Sequence, residues 1–465
     1  MFSNSLLRTR LFLCKLDYGG MKCLTSASFA RTTSTLIGDK QKTMDDLHGP
    51  SFLTSLYWLF GKGYFQTTHQ MQSKYGPLVV VNVADADLIE QVLRQEGRHP
   101  IRTDMPHWRG YRKLRNHAYG PLTEMGAEWQ RIRSILNPRM LKPKHVSSYT
   151  NAINGVVSDF IEKVAKLRTT TGNEVMVYDV AGELYKFAFE GICSVLFETR
   201  MGCLNDVVPE ETQKFIFSVG EMFRLSPIVI LFPKSLWPYM PFWKHFVAVW
   251  DHLFKVADEL VRKKMTEIQE MVKHGQPVEG EYLTHLLISE QMSFTEVLGS
   301  ITELLLAGVD TTSNTISWAL YHLAREPEIQ QKLYEEVIGV CPGDKVPCMV
   351  PGNARVIAER EIVVGDHLFP KNRWIREQKQ LNQHPFGSVP FGFGIRACLG
   401  RRVAELEMYL LLSQLIKHYE VRPDPSGKNV KPITRTLLVP ATSIDLQFID
   451  RQKEQEEPVK ANTSI

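Results

Sequence analysis

Cysteine is scarce and scattered: the 465 residues hold seven, with no Cys-x-x-Cys pair among them. That spacing excludes a zinc-ribbon type of metal site and offers no disulfide framework. Cys341 and Cys348 flank a Pro-Gly-Asp turn and are expected to be incidental. No uninterrupted apolar run reaches the ~20 residues that cross a bilayer. Internal repeats and low-complexity segments are missing too, which excludes solenoids and propellers. Nor is there a broad excess of one charge. The net charge of +4 arises in residues 1–44, where Arg8, Arg10, Lys15, Lys22, Arg31, Lys40 and Lys42 outnumber Asp17 and Asp39. The rest of the chain is close to neutral, so no nucleic-acid partner is expected.

What the chain does have is one cysteine with constrained neighbours: Phe391-Gly392-Phe393-Gly394-Ile395-Arg396-Ala397-Cys398-Leu399-Gly400. Two glycines allow a tight turn and close backbone approach to a flat ligand, and can aim N–H groups at the sulfur. Phe391 is placed to cover that sulfur from water. Arg396, two residues from the thiol, can reach a carboxylate as a charge-assisted pair. After Gly400 the pattern predicts a helix over 401–418. Such a setting presents a thiolate to haem iron, and a cysteine ligand of that kind pushes electron density onto the metal. The stretch resembles the haem-binding signature of the cytochrome P450 family, without a gap from Phe391 to Gly400. The resemblance implies haem b (iron protoporphyrin IX) as cofactor, Cys398 as axial ligand of the iron, and a monooxygenase that uses O2.

A second segment fits the same chemistry. Ala307-Gly308-Val309-Asp310-Thr311-Thr312 lies in an apolar-periodic run from about Phe294 to Leu323 that predicts one helix. It resembles the family's oxygen-activating helix, with Gly308 thinning it where O2 sits and Asp310 and Thr311 relaying protons. Thr side chains in a helix can instead bond back to the i−4 carbonyl. Trp129 and Arg133 share a helix face four residues apart. The resemblance places them on a haem propionate, although such a pair can equally be a surface cation–π contact. Arg355, in the extended segment 350–357, resembles another propionate arginine.

The order of elements predicts a mainly α chain with a smaller β region (α+β). A strand from Leu78 precedes a helix at 86–94, helices dominate 127–338, a hairpin turns at Gly365-Asp366, and 434–450 is strand-like. One domain is expected over 45–450, with a disordered tail at 451–465. Residues 1–44, rich in Ser, Thr, Arg and Leu and poor in acid, read as a mitochondrial transit peptide. The aromatic, proline-broken stretch 215–250 resembles the family's substrate-access roof and can touch a membrane surface.

The likeness extends to mitochondrial members of the family. It implies 27-hydroxylation of a cholesterol-like or bile-acid-precursor sterol side chain, on the matrix face of the inner membrane. Electrons would come from an adrenodoxin-type iron–sulfur ferredoxin, docked by the basic pair Arg401 and Arg402. One family feature is missing. No glutamate from 326 to 377 is followed three residues later by arginine, so the buttressing Glu-x-x-Arg helix is absent. The joins at 347–348 and 369–373 look like cuts in an internally truncated fold. An inactive or non-catalytic haem- and ferredoxin-binding variant therefore stands beside the enzyme reading.

Overall fold

In the computed structural model of the chain, residues 86–94, 104–170, 173–278, 280–342, 388–434 and 437–451 are described, with His99, Phe386 and the backbone of short strands elsewhere. Those strands are β1 (Leu7–Asp17) and β2 (Gly20–Arg31), paired as a hairpin in the expected leader, β3 (Met71–Ser73) with β4 (Gly76–Leu78), and β6 (Ile362–Val364) with β7 (His367–Phe369). In the last pair Val364 faces His367, on either side of the predicted turn. The extended segment at 350–357, both joins and the tail beyond Arg451 lie outside the described residues.

Helices account for most of the described chain. They are α1 (Ala86–Arg94), α2 (Pro106–Arg115), α3 (Gly126–Leu141), α4 (Pro143–Val146), α5 (Thr150–Thr170) and α6 (Val180–Leu196). There follow α7 (Glu210–Ile230), α8 (Pro241–Lys273), α9 (Tyr282–Ile288), α10 (Phe294–Arg325), α11 (Pro327–Val340) and α12 (Arg401–His418). Helix α10 starts at a capping box. The Ser293 side chain accepts from the Glu296 N–H, and Glu296 Oε2 accepts from the Ser293 N–H at 2.8 Å. It ends before Pro327, whose ring disfavours helical geometry at Glu326 and then opens α11.

Helix α10 is buried along most of its length and packs against α6, α8, α12 and strand β8 (Tyr419–Pro423), while α7 lies on α8. Strand β11 (Leu446–Asp450) runs antiparallel between β5 (Met176–Val177) and β8, with Leu446 facing Val177 and Pro423. Helix α11 is tied to this sheet by Gln330. The buried Gln330 amide donates to Val421 O and accepts from Val421 N, each at 2.8 Å, so it stands in for a neighbouring strand.

One expectation changes. Residues 432–450 form three short strands, with β9 (Pro432–Thr434) and β10 (Leu438–Pro440) pairing as a hairpin before β11. In 215–250 the helix breaks just before Pro233. Helix α7 runs through Pro227, where burial of Leu225, Ser226 and Val229 outweighs one lost backbone bond near the helix end. The helix stops at Ile230. Trp237 then donates its indole N–H to Phe232 O at 2.9 Å and Val229 O at 3.1 Å, satisfying free terminal carbonyls.

A buried carboxylate joins three parts of the chain. Glu303 of α10 accepts from Arg112 Nη2 of α2 at 3.2 Å and from the Leu122 N–H at 2.7 Å, and also from Gly120 N, Thr123 N and Thr123 Oγ1. Arg112 is fully buried, its guanidinium 4.1 Å from the centre of the Trp250 ring. Removing one partner of such a pair strands a charge in low dielectric. Arg112→Met is therefore expected to destabilise the fold by about 3–5 kcal/mol, read as a lower urea midpoint.

Candidate functional site

The loop before α12 takes the conformation its glycines permit. Gly392 and Gly394 both have φ of +69°, in the left-handed region that side chains avoid. The Gly392 N–H donates to Val389 O, and the Cys398 N–H reaches back to Phe391 O at 2.8 Å, closing the loop on itself. Phe391 also lies beneath the Arg401 guanidinium, 5.5 Å from its ring centre. From the far side, Arg94 of α1 sits over the rings of Phe386 and Phe393, which meet edge to face. Gly400 has an ordinary φ of −83° and serves as the first residue flanking α12.

The Cys398 side chain emerges where α12 begins. The residue is exposed at the surface, yet desolvation by the surrounding loop pushes its thiol up from the usual range. The N–H groups of Gly400 and Arg401, with the charges of Arg133 and Arg401, act the opposite way and favour thiolate. Arg133 of α3 donates from Nη2 to Ala397 O at 2.8 Å and Ile395 O at 3.4 Å, so it grips the cysteine loop directly. Trp129, fully buried, lies against both guanidiniums: Arg396 is 3.8 Å from its ring centre and Arg133 5.5 Å. The Trp129 indole N–H is already bonded to Pro121 O at 3.1 Å, so the ring contributes as a platform.

These residues fit a haem. Two guanidiniums converge on one aromatic ring beside the cysteine, and Arg133 keeps a buried Nε that makes no hydrogen bond within the protein. Among the described residues no ion pair neutralises Arg133, whereas a propionate carboxylate supplies the acceptor its surroundings lack. Arg355 lies outside the described residues.

On α10, Asp310 and Thr311 are adjacent in sequence but face different ways, since successive helix positions diverge by about 100°. Asp310 is buried and accepts from Tyr185 OH of α6 at 3.0 Å. Thr311 is exposed and donates from Oγ1 to Ala307 O at 2.6 Å, the back-bonding open to a helical threonine. At Gly308 a Cβ would lie 2.5 Å from Ile192 Cγ1, so this glycine also allows close approach of α6.

Arg401 and Arg402 are also less available than their sequence suggests. Both pair with Glu405 of their own helix, at 2.8 Å and 3.6 Å, which halves the local positive charge.

Comparison with known proteins agrees with this geometry. The sequence profile of Cytochrome P450 matches residues 51–351 and 367–448. The chain belongs to the cytochrome P450 family. It is 41% identical to the mitochondrial sterol 26-hydroxylase of Rattus norvegicus, over 88% of this chain and 90% of that protein. The human enzyme of that name is 40% identical over 89% and 90%. Human mitochondrial 25-hydroxyvitamin D-1 alpha hydroxylase is 38% identical over 88% and 94%. Among solved structures, the cytochrome P450DA heme domain superposes with a TM-score of 0.62 at 19% identity, over 87% of this chain and 96% of that one. The protein is thus a haem monooxygenase of mainly α fold. The rat alignment runs over 478 positions although this chain has 465 residues, so the relative carries sequence with no counterpart here.

Sequence reading alone missed Tyr185 and Glu407. Glu407 of α12 is fully buried against Gly191 and Cys193 of α6 and Thr312 of α10, linking the cysteine's helix to the oxygen helix. Burial pushes its carboxyl up from 4.5 to about 8. A carboxyl whose folded value is raised holds its proton in the fold longer than in the open chain. Its favourable contribution is complete below about 4.5 and is lost as pH rises through about 8. In that window stability should fall by up to ~1.4 kcal/mol per pH unit. Glu407→Gln is expected to flatten the decline, seen in urea melts at pH 5 and pH 8.

Proposed function

We propose that this cytochrome P450 hydroxylates one of the methyl groups that end a sterol side chain. It works on the matrix face of the inner mitochondrial membrane with electrons from an adrenodoxin-type iron–sulfur ferredoxin. The observation that carries this reading is 41% identity, across 88% of the chain, to an enzyme named for sterol 26-hydroxylation in mitochondria. The vitamin D relative at 38% keeps a hydroxylated vitamin D as the competing substrate class.

Each residue has a task in this scheme. Cys398 ligates the iron as thiolate, and haem when bound supplies the activation of O2 that the side chains cannot perform. Arg133 and Arg396 hold the propionates, with Trp129 packed between them. Thr311 and Asp310 hold the protons that the reaction consumes. Residues 1–44 act as the import leader, outside the mature domain. Leu236, Tyr239 and Phe242 stand exposed around the start of α8, next to the inward Trp237 and Trp243, and form an apolar foot for the membrane from which a lipid enters. Arg401 and Arg402 add to ferredoxin docking only as far as Glu405 leaves charge over.

A second reading is favoured by one feature, the missing Glu-x-x-Arg helix between α11 and the cysteine loop. A core helix burying four or five large apolar side chains contributes on the order of 10 kcal/mol, against a whole-domain stability of ~5–15 kcal/mol. In that reading the chain keeps the scaffold and turns over nothing. Expression of residues 45–465, reduction and exposure to CO separates the two. The thiolate–haem Soret band with ferredoxin-dependent oxidation of a C27 sterol is the expected result. Failure to retain haem would sink the enzyme reading for this chain.

A further inference from the structure

We propose that the chain has a second sterol site, a cavity between α6, α7, α10 and the turn after β10 that takes a neutral sterol with a hydroxyl at each end. The proposal rests on the reading of this P450 as a sterol hydroxylase. It adds a place, apart from the cysteine loop, where the hydroxylated sterol binds.

The cavity measures about 530 Å³, inside the range of ~300–1,000 Å³ for sites that enclose small organic ligands. Neither the cysteine loop nor α3 lines it. Helix α10 turns Asp310, Ser313 and Asn314 towards it, three positions that share one helix face, while Thr311 is exposed on another. The lining is sorted by depth. Buried Asp310 and Ser313 lie with Tyr185 at the floor, Ile216, Phe223 and Val439 form apolar walls, and exposed Asp179 and Thr442 make the rim. An apolar body that is polar at both ends matches that order.

Charge then selects among such molecules. Asp179 and Asp310 line the cavity, and Lys186 beside them is already held by Glu183 at 2.6 Å, so an anionic lipid would meet like charge. A neutral hydroxyl fits. Tyr185 gives its own proton to Asp310 Oδ1 at 3.0 Å, which leaves the phenol oxygen to accept from a sterol hydroxyl. At the rim, Asp179 accepts from the Gly182 N–H at 3.2 Å, and a carboxylate has capacity for further donors. The site also reaches α2. The Phe223 ring on its wall is centred 6.3 Å from that of Trp108, whose indole N–H bonds Ser226 of α7 at 3.2 Å. An occupant pressed against Phe223 therefore registers at Trp108.

The test uses the full chain and a tritiated C27 sterol with hydroxyls at C3 and at the end of the side chain. Haem-loaded protein is saturated with an azole that coordinates the iron and closes the haem pocket, and the diol is then titrated by equilibrium dialysis. One diol should still bind per chain. It should also change the tryptophan fluorescence, a response lost in Trp108→Phe. Gly220→Trp should abolish this binding and leave the Soret shift caused by the azole unchanged. Gly220 lines the cavity and a Cβ there meets nothing within 4 Å, so the indole is accommodated, and replacing a glycine inside α7 does not weaken the helix. Tyr185→Phe should loosen the diol about tenfold. No diol bound beside the azole, or equal binding by Gly220→Trp, overturns the proposal. Tighter binding of a long-chain amine or a fatty acid than of the diol overturns the sterol assignment. Dialysis needs no turnover, so a chain that hydroxylates nothing still decides the site, and an active hydroxylase that binds a single sterol overturns the site alone.

Discussion

The Glu303 carboxylate is the constraint on which the arrangement of the site depends. It sits fully buried on α10 and collects the Arg112 guanidinium, three backbone N–H groups and the Thr123 hydroxyl. An ionised group in that position is tolerated only because every direction around it is filled by a donor. The consequence is geometric. The loop 120–123 is pinned to α10, and α3 starts immediately after it and adds the pair of Arg131 with Glu296 of α10, so Trp129 and Arg133 are placed relative to the oxygen helix. Gly120 and Gly299 allow the approach: a Cβ on Gly120 would meet Glu303 at 2.5 Å, and one on Gly299 would meet Ala118 O at 2.7 Å.

From α3 the chain of constraint passes to the cysteine. Arg133 holds two carbonyls of the loop that carries Cys398, and Arg396 from that loop returns to lie on Trp129. Helix α12 then carries Glu407 back to Thr312 of α10. The described residues thus form a circuit from α10 through α3 and the cysteine loop to α12 and back. Between α11 and that loop the sequence has no glutamate followed three residues later by arginine. Gln330 bonding β8 ties α11 to the sheet.

Much of this was legible in advance. The helices at 327–340 and 401–418, the long helix from Phe294 and the hairpin at Gly365-Asp366 follow from apolar periodicity and from Pro and Gly punctuation, which are local signals. The Cys398 loop was legible because haem-thiolate chemistry restricts several neighbouring positions at once. Other contacts could not be read in advance. That of Gly308 with Ile192 spans 116 positions of the chain. The turn of Arg401 and Arg402 to Glu405 is a rotamer choice that spacing permits but does not dictate.

The sequence by itself determined the family, the signature around Cys398, the order of helices and the absence of a Glu-x-x-Arg motif between 326 and 377, because each is written in contiguous residues whose spacing is chemically restrictive. Only the tertiary structure decided that Asp310 belongs to Tyr185, that Glu303 organises α2 and α3, and that Glu407 is buried against α6. Those partners lie on separate helices, and burial with hydrogen-bond geometry is a property of the packed chain, to which no local pattern of residues corresponds.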